Sequence, residues 1–243
     1  MRRKHWALCA LLTLLLTLLP GRDAARPAAG PAELPAESRF VALTFDDGPR
    51  RDTTARLLDG LRERGASATF FLVGQRIAGS EDLLRRMRDE GHQVGNHSWS
   101  HADLKSESDW GLQQEVGRTE EALENLLGEG SYWLRPPYGA VDEADRVLIQ
   151  TPMIKWSIDP RDWESLDAEK VKAAVLKDAR PGQIILLHDI YDSSVDAALS
   201  IVDALKAEGY RFVTVEELFR IKGVDVQDGV LYKCPGATHP AAG

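Results

Sequence analysis

Short apolar runs and amphipathic stripes alternate along the chain from Phe40 to Ile221. The first run, Phe40–Phe45 (F-V-A-L-T-F), is rich in aromatic and β-branched residues and reads as a buried strand. It ends abruptly in Asp46 and Asp47, and Gly48-Pro49 supplies turn chemistry behind them. A helix is expected from Asp52-Thr53 to about Arg64, closed by Gly65. Ala68–Val73 reads as a second strand. Ser80 then starts a helix whose Leu83, Leu84 and Met87 share a face, with Gly91 just beyond its end. Gln93–Asn96 is a short third strand, and the spacing of Leu112, Val116, Leu123 and Leu127 predicts a helix over Ser108–Leu127.

The second half keeps the rhythm. Trp133–Leu134 leads into Arg135-Pro136-Pro137-Tyr138-Gly139, where the prolines must end any strand. Asp142–Gln150 reads as helix, Met153–Ile158 as strand and Asp167–Asp178 as helix. The fully apolar Gln183–Leu187 runs into His188-Asp189. Val195–Glu208, with Leu199, Val202 and Leu205 inward, is a helix; Arg211–Val215 is the last strand and Glu216–Ile221 the last helix. Residues 222–243 are punctuated by Gly and Pro and read as a C-terminal tail or small capping segment. About seven strand–helix alternations imply an α/β fold, a parallel sheet with crossover helices that either opens out or closes as a barrel. On either plan ligands bind at the carboxyl ends of the strands.

The ends of the chain read differently. Arg2, Arg3 and Lys4 precede the apolar Trp6–Leu19, which is short for a membrane span and suits a signal peptide over residues 1–21 or, as the alternative, an uncleaved anchor. Cleavage after Gly21 or near Ala24–Ala25 is compatible with the residues present, and 22–38 reads as a Pro/Ala-rich linker to a domain over 39–221. Export removes Cys9 and leaves Cys234 alone, so no intrachain disulfide is expected and the core must supply the stability. A net charge of −8 argues against nucleic acid or an anionic membrane surface and suits a neutral substrate.

Unusual polar residues gather at the predicted strand ends. Asp46 and Asp47 follow the first strand, His97 and His101 the third, Arg135 and Tyr138 the fourth, Asp159, Asp162 and Trp163 the fifth, and His188 with Asp189 the sixth. Core packing asks for none of these. Neighbouring carboxylates on an extended chain point in opposite directions, so one can bind a metal while the other faces substrate as a base. The H-x-x-x-H pair has metal-ligand spacing, and a strand-end Asp completes a two-nitrogen, one-oxygen set with positions open for water and substrate. These donors favour zinc and leave cobalt, nickel or iron open. Read singly, each residue has a plainer role: an acidic helix cap, a surface Arg, a packing Tyr or Trp. Trp99 either stacks on a sugar or packs, and His92 and His239 read as surface residues.

The motifs T-F-D-D-G, H-S-W-S-H, R-P-P-Y-G, D-P-R-D-W and L-L-H-D occur in that order, and over Arg39 to about Phe219 the chain resembles the polysaccharide deacetylases of carbohydrate esterase family four, the NodB homology domain. That resemblance implies a distorted (β/α) barrel of about seven strands, a divalent metal, and hydrolysis of N- or O-acetyl groups on sugars. It implies Asp46 as general base and Asp47, His97 and His101 as metal ligands. Arg135 would orient Asp46, and the Tyr138 backbone N–H would help bind the oxyanion. His188 would be the general acid with Asp162 tuning it, and Leu186 and Trp163 would hold the acetyl methyl. The stretch H-D-I-Y-D-S-S-V-D-A looks most like the bacterial peptidoglycan N-acetylglucosamine deacetylases. The expectation is therefore a secreted or surface-held monomer acting on a neutral acetylated polysaccharide such as peptidoglycan. Acetyl-xylan, chitin and poly-N-acetylglucosamine are the alternative substrates. A carbohydrate-binding module without catalysis is the non-enzymatic alternative.

Overall fold

Strand β1 (Arg39–Asp46) lies at the centre of a parallel sheet, buried along its length after the first residue. A strand covered on both faces must be apolar throughout, which is why this run does not alternate. The structure is a computed structural model describing residues 39–238; the expected signal segment, the linker, Cys9 and His239 lie outside the described residues.

Three parallel strands pair with β1. Its carboxyl half lies beside β2 (Thr69–Leu72) and its first half beside β6 (Tyr210–Val213). The third neighbour is β5 (Ile184–His188), and β3 (Gln93–Asn96) continues the sheet beyond β2. Beyond β3 the pairing passes through single bridges, Asn96 to Leu134 and Leu134 to Met153, into β4 (Met153–Ile154). A further bridge from Ile158 to Ile185 returns to β5. Parallel pairing thus runs round a closed circuit, a distorted barrel with several staves reduced to one or two residues. Strand β7 (Leu231–Cys234) pairs parallel with β4, and β8 (Ala237–Thr238) turns back on it antiparallel. The stretch after the last helix, read as a tail or small capping segment, therefore contributes strands, with Leu231 and Tyr232 buried.

The helices cover the sheet. They are α1 (Arg51–Arg64), α2 (Glu81–Asp89), α3 (Asp109–Leu127), α4 (Asp162–Ser165), α5 (Ala168–Asp178), α6 (Asp192–Ala207) and α7 (Val215–Ile221). Ser108, Asp167 and Thr214 cap α3, α5 and α7 through their side chains, and Gly65 closes α1 at φ 54°. Leu57, Leu58 and Leu61 of α1 join Val195, Ile201, Val202 and Leu205 of α6 against Phe45, Phe70 and Leu187 of the sheet. Each such side chain contributes roughly 1.5–3 kcal/mol by leaving water.

Three expectations are corrected. Trp133–Leu134 is no strand but a single bridge, because Pro136 and Pro137 lack the N–H groups a longer ladder needs. Asp142–Gln150 forms only a 3₁₀ turn over Ala144–Leu148 that buries no side chain, so no apolar stripe stabilises a longer helix. His92 is buried, not on the surface: its Nδ1 accepts from the Ala68 N–H at 3.1 Å and its ring meets Phe70 edge-on.

Candidate active site

Strand register puts the key groups at one level. Asp46, last residue of β1, lies directly across from His188, last residue of β5. On the other side Asn96 of β3 bridges Leu134, so the next residues, His97 and Arg135, emerge side by side. A cavity of about 410 Å³ opens there, lined by Asp46, Asp47, His97, His101, Tyr138, Trp156, Asp159, Trp163, Leu186, His188 and Tyr191. Every motif that stood out in the sequence reaches it. Trp156 and Tyr191 were not anticipated: they lie three residues before Asp159 and two after Asp189 and carry no spacing signal of their own.

The two carboxylates divide as their alternation allows. Asp46 is buried, and its Oδ1 accepts from Arg135 Nη1 at 2.7 Å. Arg135 is fully buried, and all three of its guanidinium nitrogens donate. The same Nη1 donates to Thr44 Oγ1, Nε donates to the Ile154 carbonyl, and Nη2 to the Lys155 carbonyl. Its face also lies 4.1 Å from the centre of the Phe71 ring. Asp47 instead turns into the left-handed region, at φ 71°, toward the histidines. Its Oδ1 is buried without a hydrogen-bond partner, 3.2 Å from His101 Nε2 and 3.6 Å from His97 Nε2. One ligand atom from each of the three residues falls within 4.8 Å of the others.

An orphaned buried carboxylate oxygen facing two imidazole nitrogens fits a divalent cation well. His97 has the required tautomer: its Nδ1 lies 2.6 Å from the Arg135 carbonyl, which can only accept, so Nδ1 carries the proton and Nε2 presents a lone pair. Burial lowers its pKa despite the nearby Asp46 and Asp47, which keeps the ring neutral as a ligand must be.

On the neighbouring strand His188 is held by Asp162. Nδ1 meets Asp162 Oδ1 at 2.8 Å, while Asp162 Oδ2 accepts from the His188 N–H at 2.8 Å and from Ser194 Oγ at 2.5 Å. Burial alone would depress the imidazole pKa. The Asp162 hydrogen bond and charge, with Asp46 and Asp47 adding, outweigh it and push it up to about 9. Asp162 and Ser194 were separated by 31 residues of sequence that gave no hint of this contact.

Asp189 has a different place. It is buried, its Oδ2 accepts from Thr54 Oγ1, and that hydroxyl accepts in turn from the Arg50 N–H at 2.9 Å. Burial, with the charge of Asp47 adding, raises its pKa to about 7. It braces the turn after β1 against the end of β5.

Tyr138 sits at φ 58° with its ring exposed and edge-on to His101, centroids 4.9 Å apart. Trp163, half exposed, and Leu186, buried, also line the cavity. Six non-glycine residues of the described chain have positive φ: Asp47, Ser98, His101, Tyr138, Arg161 and Leu166. Four belong to the loops lining the cavity, and Arg161 precedes Asp162. Conformations costing about 1–3 kcal/mol each concentrate where side chains must be aimed. Trp99 points away from this cavity. It packs on Gly74 and lines a separate cavity of about 510 Å³ bounded by Ile77, Ala122 and Leu126, which gathers none of the motif residues that carry charge.

The profile of the polysaccharide deacetylase family matches residues 33–151. The chain is 38% identical over 192 residues to a peptidoglycan-N-acetylglucosamine deacetylase of Listeria monocytogenes, covering 79% of this chain and 41% of that one. It thus spans about two fifths of that relative's length. A peptidoglycan-N-acetylglucosamine deacetylase of Bacillus cereus is 37% identical over 192 residues, covering 76% of this chain and 90% of the relative. Among solved structures, a family 4 acetyl xylan esterase from Clostridium thermocellum in complex with a cobalt ion superposes with a TM-score of 0.78 at 35% identity, covering 82% of this chain and all of that one.

Proposed function

The chain belongs to the polysaccharide deacetylase family, and from that membership and the cavity's geometry we propose that it hydrolyses acetyl groups from N-acetylglucosamine units of an extracellular polysaccharide, most simply peptidoglycan. The observation that carries this reading is the placement of Asp46 and His188 side by side at the ends of adjacent strands, lining one cavity and each held by its own buried partner. A binding module needs neither.

Asp47, His97 and His101 would hold a divalent ion, for which their donor set favours zinc and admits cobalt, nickel or iron. A metal so held makes its bound water acidic and offsets negative charge on an acyl oxygen. The remaining roles belong to the chain. Asp46 Oδ1 is occupied by Arg135, so Oδ2 takes the proton from the attacking water. The Tyr138 N–H donates to the acetyl oxygen as its charge grows, such a donor typically contributing about 3 kcal/mol. His188, protonated through its partnership with Asp162, delivers a proton to the departing nitrogen. Water adds, the C–N bond breaks, and acetate and a free amino sugar result. Leu186 and Trp163 offer the acetyl methyl an apolar seat.

Every group in this scheme comes from one chain, consistent with a monomer, and the net charge of −8 suits a neutral glycan rather than nucleic acid. The basic segment and apolar run at the N-terminus suit an extracytoplasmic setting. Acetate release should be followed on peptidoglycan, chitin oligomers and acetyl-xylan, with and without a chelator. Release from peptidoglycan that stops on chelation and returns with added zinc is the expected result. Metal bound without release from any glycan would leave a binding module.

A further inference from the structure

The loop that delivers both imidazoles is bolted to helix α3, and the helix side of the bolt, Glu115 and Arg118, lies outside the five motifs. The Ser100 N–H donates to Glu115 Oε2 at 2.8 Å, and Ser100 Oγ donates to Glu115 Oε1 at 2.9 Å. One carboxylate thus grips the backbone and the side chain of the residue preceding His101. One turn further along α3, the Arg118 guanidinium lies 4.1 Å from the centre of the Trp99 ring. That indole also packs on Gly74, where an added Cβ would fall 2.5 Å from Trp99 Cε3. The loop's carbonyls are occupied too: Gly74 N–H donates to Ser98 O at 3.0 Å and Gln75 N–H to Trp99 O at 2.9 Å.

This bracing has something to hold. Ser98 and His101 both have left-handed backbones, at φ 62° and 64°, which a free loop of these residues would relax. His101 Nε2 must stay near Asp47 Oδ1, now 3.2 Å away, and no described hydrogen bond fixes its imidazole as the Arg135 carbonyl fixes that of His97. The His101 ring meets two other rings edge-on, His97 and Tyr138. Its aim therefore depends on its backbone, and its backbone depends on Ser100.

We propose that Glu115, with Arg118 behind Trp99, is a positioning residue for the metal site, clamping loop 97–101 so that His101 meets Asp47 and His97. The inference rests on the metal-site reading above. Partners that orient ligands typically change metal affinity by 10–100-fold.

The test is competition for Zn²⁺ against a chromogenic chelator, together with the visible spectrum of the Co²⁺-loaded protein. Glu115 lies partly exposed on α3, so its loss leaves the core intact. Glu115→Ala should weaken Zn²⁺ binding about tenfold or more and alter the Co²⁺ spectrum, with glycan KM unchanged at saturating metal. Glu115→Gln should recover most of the affinity, since its amide oxygen accepts from the Ser100 N–H and its NH₂ donates to the Ser100 hydroxyl. Ser100→Ala, which loses only the hydroxyl arm, should fall between them. Wild-type affinity in Glu115→Ala, or Gln no better than Ala, would overturn the clamp while leaving the metal site standing. A wild-type chain that bound no divalent ion would overturn both.

Discussion

Arg135 and Asp46 form a buried ion pair, joined at 2.7 Å between Nη1 and Oδ1, and the guanidinium's other hydrogen bonds go to Thr44 and to the Ile154 and Lys155 carbonyls, which hold it still. The pair fixes which oxygen of Asp46 remains free. It also ties catalysis to stability, because the fully buried guanidinium has no water to replace its counter-charge.

Asp46→Asn should therefore do two things. It should abolish acetate release while leaving Zn²⁺ affinity near that of wild type, because Asp47 and not Asp46 is placed with the histidines. It should also destabilise the fold by about 3–5 kcal/mol, since the fully buried Arg135 would keep its charge and lose its counter-charge. Urea unfolding and a metal titration on the same preparation check both. Loss of the metal in this variant would mean that the two carboxylates have been assigned the wrong way round.

His188 gives a pH dependence with a definite sign. Its pKa is raised to about 9 by Asp162, so the imidazole holds its proton through neutral pH and releases it as pH rises toward 9. An acid that must be protonated then sets the alkaline limb of kcat/KM. A bound dication opposes the contribution of Asp46 and Asp47, so the limb in the loaded enzyme should lie below 9. Asp162→Asn should move it further down and cut the rate, since both the charge and the acceptor for Nδ1–H are weakened. For stability, a group whose folded pKa exceeds its unfolded 6.5 contributes fully below 6.5 and loses that contribution between there and about 9. An alkaline limb unmoved by Asp162→Asn would remove His188 from the acid role.

His92 runs the opposite way. Burial holds its pKa down at about 4, so the folded chain keeps it neutral while the unfolded chain protonates it near 6.5. The unfolded state then binds the extra proton, and stability should fall as pH drops from 6.5 toward 4. His92→Leu should be less stable at pH 7, because the Ala68 N–H loses its acceptor at a cost of about 1–3 kcal/mol. Its urea midpoint should, however, vary less across that acid range. Parallel pH profiles for the two proteins would show that some other group is responsible.

How much of this was readable beforehand depended on what each segment must do. Phe40–Phe45, Gln93–Asn96 and the stripe ending at Leu127 were legible because burial on a sheet or helix face dictates their residue types. The motif residues were legible because nothing in a core requires two aspartates or an H-x-x-x-H pair at strand ends. Leu134 and Met153–Ile158 read as longer strands than they are: only Met153–Ile154 forms one, with single bridges at Leu134 and Ile158, and apolar content alone does not fix how many residues pair. The L-Y-K-C strand was hidden by Gly and Pro on both sides, since its partner β4 lies about 80 residues away in sequence. Asp189 was visible as a rim residue, yet its contact with Thr54 exists only once β5 lies beside β1.

Gly48 offers the sharpest steric test of that bracing. A Cβ built there would lie 2.6 Å from Asp189 Oδ2 and 2.8 Å from its Cγ, and closer still to Oδ1. These atoms belong to a fully buried carboxylate tied to Thr54, so they have nowhere to swing. Gly48→Ala must displace either the turn carrying Asp46 and Asp47 or the end of β5 carrying His188. Overpacking of this kind costs about 1–3 kcal/mol in stability, and a shift on the order of 1 Å in a reacting group can cost about a hundredfold in rate. The variant should therefore fold, with a lowered urea midpoint, and lose activity out of proportion to that loss. The double variant Gly48→Ala, Asp189→Ala removes the obstructing carboxyl and should recover part of the rate. If the double variant were no more active than Gly48→Ala alone, the contact between Gly48 and Asp189 would not be what aligns the two strand ends.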